Sequence, residues 1–468
     1  MINPLFFRKL PESTQVFVSN PLGEWSILAE EEDLLKLISG ISLGSKDEEL
    51  ETKGFINSSA GKDKHFLRAA ELRLAIKFSK NTHSPSLIMI VPTLRCDHDC
   101  LYCQVSRAPL HSTHHDLKLS PKNLANAINK IAADNFKLEI QGGEPMLRPD
   151  FIQDLVCELR KLRGASFSIV ITTALGPNLS VDFLDWAVIE NVEFSVSFDG
   201  IASVHRKIRK SKFFDSFDRM RQQLLRLSAA GLRERVGFVH TISNETITLG
   251  VDAIIDSCRN LGISRLYSRP LADYGFAVST KKHIGYSRKD LDVFYANYLD
   301  KIIDCFHSGE DFFDYAFGVH LKNLYQPEKN CHVDIQSPAG YGLSACVINY
   351  DGHIFGSDEA RMLYESTKNP LLPIGVVNEK DILINPIQPH INLLSSSFSE
   401  TLPHCETCAY MPFCGSDPIH HLATQGDFVG SKPNSDFCKQ TMTISDLIIK
   451  RIGQGDITDE MVVRWLSH

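Results

Sequence analysis

The sequence predicts an α/β protein with a parallel sheet in an open or partial barrel. Three observations carry this. Apolar, strand-like runs recur at 87–91, 137–141, 166–172, 193–197, 236–241 and 265–269. Helical patterns lie between them, as at 121–134, 150–162, 214–230 and 250–261. Such βα repeats, joined by right-handed crossovers, build a parallel sheet. Thirdly, a polar or glycine-rich element follows each of the first four strands. These are a cysteine-rich loop, then Gln141-Gly142-Gly143-Glu144-Pro145, Thr172-Thr173-Ala174-Leu175-Gly176 and Ser197-Phe198-Asp199-Gly200. Chemistry in folds of this class gathers at the C-terminal ends of the strands.

The flanks differ from this centre. Residues 1–85 read as a separate unit: a hairpin around Asn20-Pro21-Leu22-Gly23, a helix at 30–38, a polar loop at 42–63 and a helix at 66–77. The unit decorates the core or serves as a platform for a peptide or protein partner. The barrel is expected over 86–310, a region of short strands (346–349, 353–355) and turns over 311–445, and a helical tail over 446–468.

At 468 residues the chain has room for two or three domains. Its composition, 43% hydrophobic and 23% charged, is that of a soluble globular protein. The net charge of −8 argues against nucleic acid as a partner. No apolar run approaches the ~18 residues of a spanning helix, and the N-terminus lacks a signal-peptide core. A cytoplasmic, reducing location is therefore expected, where clustered cysteines favour metal over disulfides. Of twelve cysteines, Cys157, Cys258 and Cys305 sit singly in helical patterns and are expected to pack as small apolar groups.

Cys96, Cys100 and Cys103 form a C-x3-C-x2-C run. Three thiolates this close can hold three irons of a [4Fe–4S] cube and leave the fourth open. The alternatives are an incomplete zinc knuckle or three unrelated thiols. A ligand with an amino acid end could chelate the open iron through its amine and carboxylate. Gly142 and Gly143 permit close backbone approach, Glu144 can accept from an ammonium group, and Pro145 rigidifies the exit. Tyr102 could stack on an adenine ring. The histidines at 111, 114 and 115 and the pair His420-His421 lack ligand spacing and read as a polar loop and a turn.

C-x3-C-x2-C with GGEP resembles the radical S-adenosylmethionine (SAM) superfamily. The resemblance implies a partial (β/α)6 barrel, a cluster on Cys96, Cys100 and Cys103, and SAM at the free iron. One electron from the cluster then cleaves SAM to a 5′-deoxyadenosyl radical that abstracts a substrate hydrogen. It further implies ligand contacts from Thr173, Ser197 and Arg209, with Asn244 a weaker candidate. Here TTALG stands where relatives carry TNG, so the Asn contact is missing. An electron donor such as flavodoxin or ferredoxin follows as a partner.

Cys405-x2-Cys408-x5-Cys414 with Cys438 suits either tetrahedral zinc or an Fe–S cluster. The arrangement resembles the SPASM extension of radical maturases, in which this spacing carries the outer auxiliary [4Fe–4S] cluster. That family usually holds a second, inner auxiliary cluster. Two of its cysteine positions are here Ser357 and the Asp417-Pro418 pair. The inner cluster is therefore expected to be absent, with Cys331 and Cys346 buried thiols. Asp358, next to Ser357, resembles the base of sulfatase maturases.

Over nearly the whole length, VPTLRCDHDCLYCQVSRA, SNPLGEW, NYDGHIFGSDEARML and CGSDPIHHLATQGD resemble the radical SAM maturase of the His-Xaa-Ser system. This implies a bacterial enzyme, paired with a second radical SAM maturase. Its substrate would be a small ribosomally made protein with His-Xaa-Ser repeats. The alternatives are a sulfatase-type formylglycine maturase and a zinc-bearing binding protein on a degenerate barrel.

Overall fold

The structure, a computed structural model, describes residues 2–57, 62–79, 84–327, 335–379, 381–384 and 397–467. The N-terminal unit opens with β1 (Phe6–Lys9), β2 (Val16–Ser19) and β3 (Trp25–Leu28) in an antiparallel sheet. The turn between β2 and β3 closes through Gly23 N–H on the Asn20 carbonyl (2.8 Å), with Gly23 at φ +76°. Strand β1 was not foreseen, since FFRK is too short to show alternation. The polar stretch at 42–63 also holds a helix, Asp47–Thr52, whose Leu50 is buried with Val16, Val18 and Phe55. Its acidic first turn suits a helix N-terminus but looks like a loop in composition.

The barrel strands follow: β4 (Leu87–Ile90), β6 (Phe136–Ile140), β7 (Phe167–Thr173), β8 (Glu193–Ser197), β10 (Val236–Thr241), β11 (Arg265–Arg269) and β12 (Phe313–Asp314). Each runs parallel to the next. A two-residue ribbon, β5 (Asp99–Cys100) with β9 (Arg209–Lys210), stands apart from the sheet.

Alternation sets the two faces. In β6, Phe136, Leu138 and Ile140 are buried under the outer helices, and Lys137 and Glu139 face the lumen. The helix Pro121–Ile131 shows why the covering layer forms. Ser120 accepts from Asn123 N–H at its start, Pro121 takes the first position, and Leu124, Ala125 and Ile128 face the sheet.

The sheet does not stop at residue 310. Strand β12 extends one edge. At the other edge β13 (Ala345–Ile348) pairs parallel with β4, and β14 (His353–Phe355), β15 (Pro373–Val377) and β16 (Ile382–Ile384) continue antiparallel. The result is one 11-stranded sheet. The helix Asp436–Gln454 likewise runs through residue 445, so the tail begins inside it. The N-terminal sheet packs on this C-terminal region. Phe17 meets Tyr410 and Phe413, Ser19 Oγ donates to the Ala409 carbonyl (2.6 Å), and Arg8 forms a two-point ion pair with Asp446 (2.6 Å each).

Two expectations are corrected here. Cys157 is exposed on the helix Pro149–Arg163, whereas Cys258, Cys305 and Cys346 are buried. His420 and His421 lie in a helix, Pro418–Gln425, because Asp417 caps it and Pro418 opens it. Cys331 lies outside the described residues. No helix among the described residues is long and apolar enough to cross a membrane.

Asp314 closes the barrel. It accepts from Ser268 N–H, Ala316 N–H and the Tyr298 hydroxyl. Burial pushes its carboxyl from 3.8 up to about 6. A raised carboxyl disfavours the folded state once ionised, so this group's contribution to stability falls as pH rises from about 4 to about 6. Asp314→Asn cannot ionise. Its stability relative to wild type should therefore improve by about 3 kcal/mol across that window. Denaturant unfolding of both proteins at the two pH values checks this.

Candidate active site

The C-terminal ends of the barrel strands open into a cavity of about 650 Å³. Cys96, Cys100, Cys103, Tyr102, Gly142, Gly143, Thr173, Ser197, Arg209 and Asp358 all line it. Ser357 and Asp417 line the same space.

The cysteine loop is held from three sides. Gly143 N–H donates to the Thr93 carbonyl (2.9 Å) and Glu144 N–H to the Arg95 carbonyl (2.7 Å). A Cβ at Gly142 would lie 2.5 Å from Thr93 O, and one at Gly143 2.2 Å from Arg95 O. The two glycines thus admit the base of the loop. Ribbon β5–β9 braces the outside, with Leu101 N–H donating to the Ile208 carbonyl (2.9 Å). From the third side, Phe276 N–H donates to the Cys103 carbonyl (2.8 Å) and Thr280 Oγ1 to the Leu101 carbonyl (2.6 Å).

Glu144 and Pro145 do not face the cavity as expected. Glu144 is fully buried. Its carboxylate accepts from Met146 N–H (3.0 Å), Thr173 Oγ1 (2.7 Å) and Ala174 N–H (2.9 Å), which ties the GGEP turn to the end of β7. Burial, then the charge of Asp97, pushes it up to about 7. Pro145 opens a buried 3-10 turn behind it.

Tyr102 and Arg209 are likewise engaged with each other. The Tyr102 hydroxyl donates to Asp199 Oδ1 (2.5 Å), and Arg209 Nη2 donates to that hydroxyl. Arg209 Nη1 lies 3.5 Å from Cys100 Sγ, and Nε is 3.4 Å from Asp199 Oδ2. A buried guanidinium therefore stands beside one thiol of the triad. Asn244 does not line the cavity; its side chain donates to the His283 carbonyl (3.1 Å).

Asp358 begins the helix Asp358–Thr367, which Ser357 caps through Ala360 N–H. Arg361 Nε donates to Asp358 Oδ1 (2.7 Å). Arg361 is fully buried, and among the described residues neither of its Nη atoms has a hydrogen-bond partner. Asp358 is thus the counter-charge of a buried arginine.

Several lining residues were missed in the sequence. Lys137 and Glu139 on β6, Gln141 just beyond it, and Tyr267 and Arg269 on β11 all project into the lumen. Burial pushes the Glu139 carboxyl up, with the charge of Asp358 adding to it, while Thr172 Oγ1 donates to it at 2.9 Å. Their signal was the polar phase of each strand's alternation.

Both cysteine sets suit metal-bound thiolates. Burial pushes the Cys100 thiol up to about 12 and raises Cys96, with Cys100 adding to the latter. In the C-terminal set burial pushes Cys405 up to about 11 and raises Cys414, with Cys408, Cys438 and Cys405 adding to it. Crowded buried thiols of this kind ionise readily only with a cation between them. Backbone N–H groups already point at sulfur in both sets: His98 at Cys96 Sγ and Tyr410 at Cys408 Sγ, each 3.4 Å.

The model of the "Radical SAM superfamily" matches residues 90–248, the segment carrying the cysteine triad and GGEP. The chain contains a radical SAM domain. No curated protein matches its sequence. A structure described as native anSMEcpe with bound AdoMet is similar at TM-score 0.64 and 14% identity, covering 79% of this chain and 99% of that one. Streptococcus suis SuiB bound to precursor peptide SuiA is similar at TM-score 0.54 and 16% identity, covering 94% and 99%. At these identities the likeness concerns the fold, an α/β radical SAM architecture. The radical SAM family implies a [4Fe–4S] cluster and SAM, and the triad and cavity above fit both.

Gly143→Ala should prevent cluster loading at the triad, since the added Cβ meets backbone. Iron should fall by about four per chain, while the Cys405 set is untouched. Iron and sulfide counts on anaerobically reconstituted protein check this.

Proposed function

We propose that the chain is a radical SAM maturase that modifies a ribosomally made peptide or small protein. The observation that carries this is the single cavity joining the cysteine triad, the GGEP glycines and Asp358. Its size and its mixed polar and apolar wall suit a side chain presented on a peptide. Structures of similar fold were crystallised with peptides, SuiB with its precursor SuiA and anSMEcpe with a Cp18Cys peptide. The finer assignment, a His-Xaa-Ser repeat protein handled with a second radical SAM maturase, rests on the sequence resemblance.

When bound, the cluster and SAM supply a radical that abstracts a hydrogen atom from the substrate. The chain's own residues do the rest. Cys96, Cys100 and Cys103 hold the cluster, and Arg209 sets a positive charge beside Cys100. Thr173 and Ser197 line the ligand's side of the cavity. Asp358, ion-paired with Arg361, takes a proton from the substrate radical, and the electron left behind would go to the auxiliary cluster.

The C-terminal cysteines hold one auxiliary [4Fe–4S] cluster in this reading. Tetrahedral zinc at about 2.3 Å per bond would set the sulfurs about 3.8 Å apart. Among the described residues no three of these four sulfurs lie within 4.8 Å of one another. Ser357 and Asp417 in the cavity wall accord with the loss of the inner cluster. The N-terminal unit, expected either to decorate the core or to serve as a partner platform, turns one face to the auxiliary set. Electrons come from a small donor protein such as flavodoxin or ferredoxin.

The test is anaerobic purification with iron counting, then mass spectrometry of a co-expressed partner peptide. About eight irons per chain and a peptide mass lower by two hydrogens support the reading. Zinc without iron overturns it. Asp358→Asn should still cleave SAM but turn over peptide at least about tenfold more slowly. Equal loss of both activities would remove Asp358 as the base.

A further inference from the structure

Lys432 is buried, 5% exposed, in the loop between Cys414 and Cys438. Its ammonium donates to Ser416 Oγ (3.2 Å) and the Val429 carbonyl (2.5 Å), and lies 3.5 Å from His421 Nδ1. All three are neutral groups, and among the described residues Lys432 forms no ion pair. Two other cations near these cysteines are different: Arg8 is matched by Asp446 and Lys77 by Glu400.

These partners lead to the metal ligands. Ser416 is two residues from Cys414. His421 Nε2 meets Ser435 Oγ (3.1 Å), which caps the helix carrying Cys438 and accepts from Cys438 N–H (3.2 Å). Burial pushes the ammonium down, and the thiolates of Cys405, Cys438 and Cys414, then the more weakly acting Asp427 carboxylate, push it back up. A buried charge with hydrogen bonds but no ion pair is unfavourable. Four thiolates around a metal group carry net negative charge and remove that penalty.

We propose that Lys432 is the counter-ion of the metal group held by Cys405, Cys408, Cys414 and Cys438. The inference rests on the auxiliary-cluster reading above. It assigns Lys432 a part in setting how readily that cluster accepts an electron, since a fixed positive charge favours the reduced form.

The test uses the full chain with Cys96, Cys100 and Cys103 all changed to Ala, so that any cluster signal comes from the C-terminal site. A redox titration followed by electron paramagnetic resonance gives its midpoint potential. Lys432→Met should shift the midpoint to lower potential, and Lys432→Arg should restore it. Lys432→Gln keeps hydrogen-bond donors without the charge. It replaces the Met variant if that fails to fold, with the same shift expected. An unchanged midpoint in either fully loaded neutral variant overturns the proposal. Zinc in place of iron would overturn the auxiliary-cluster reading instead. The counter-ion is then read from zinc release to a chelator. Faster release from the neutral variant, corrected by Arg, supports it, and equal release overturns it.

Discussion

Backbone meets backbone where the second barrel strand ends. The carbonyls of Thr93, Leu94 and Arg95 press against Gly142 and Gly143 with no space for a side chain between them. The two hydrogen bonds made there fix the height of the cysteine loop above the sheet. Glu144 then fastens the same turn to the end of β7 through two donors, Thr173 Oγ1 and Ala174 N–H. Strand, glycine turn and cysteine loop become one rigid piece, and the cavity is the space it leaves above the lumen. Function at this site depends on the absence of two methyl groups.

Much of the barrel was legible because its signals are local. Strands such as Glu193–Ser197 and Arg265–Arg269 fall where the apolar runs place them. The triad and GGEP are short and specific. Other features were hidden because they depend on distant partners. Glu144 looks like a ligand contact in the sequence, yet its acceptors are consumed within the fold. Lys137 and Glu139 resemble surface charges until the barrel turns them inward. Helix Asp47–Thr52 is too short and too acidic to show a period. The continuity of the sheet past residue 310 comes from pairing between β4 and β13, which no local pattern encodes.

The two cysteine sets differ in what surrounds them. The triad borders an open cavity, as a site that must exchange ligands requires. The C-terminal set is walled by Phe17, Tyr410 and Phe413, with Cys408 and Cys414 packed against them. The N-terminal sheet provides part of that wall, so residues far apart in sequence shield one site. Shielding lowers the local dielectric and makes every fixed charge nearby count for more.

The pairing of β4 with β13 also bears on how the molecule is made. Strand β4 ends at Ile90, and β13 begins at Ala345. While a ribosome adds the intervening chain, one edge of β4 has no neighbour. Long-range parallel pairing is slow to form, and an unpaired apolar edge invites association with other chains. Sheet closure, and with it the far wall of the cavity, is therefore a late event in the life of the nascent protein. A chain cut short before Ala345 would keep the whole cysteine triad and still carry an exposed, adhesive sheet edge.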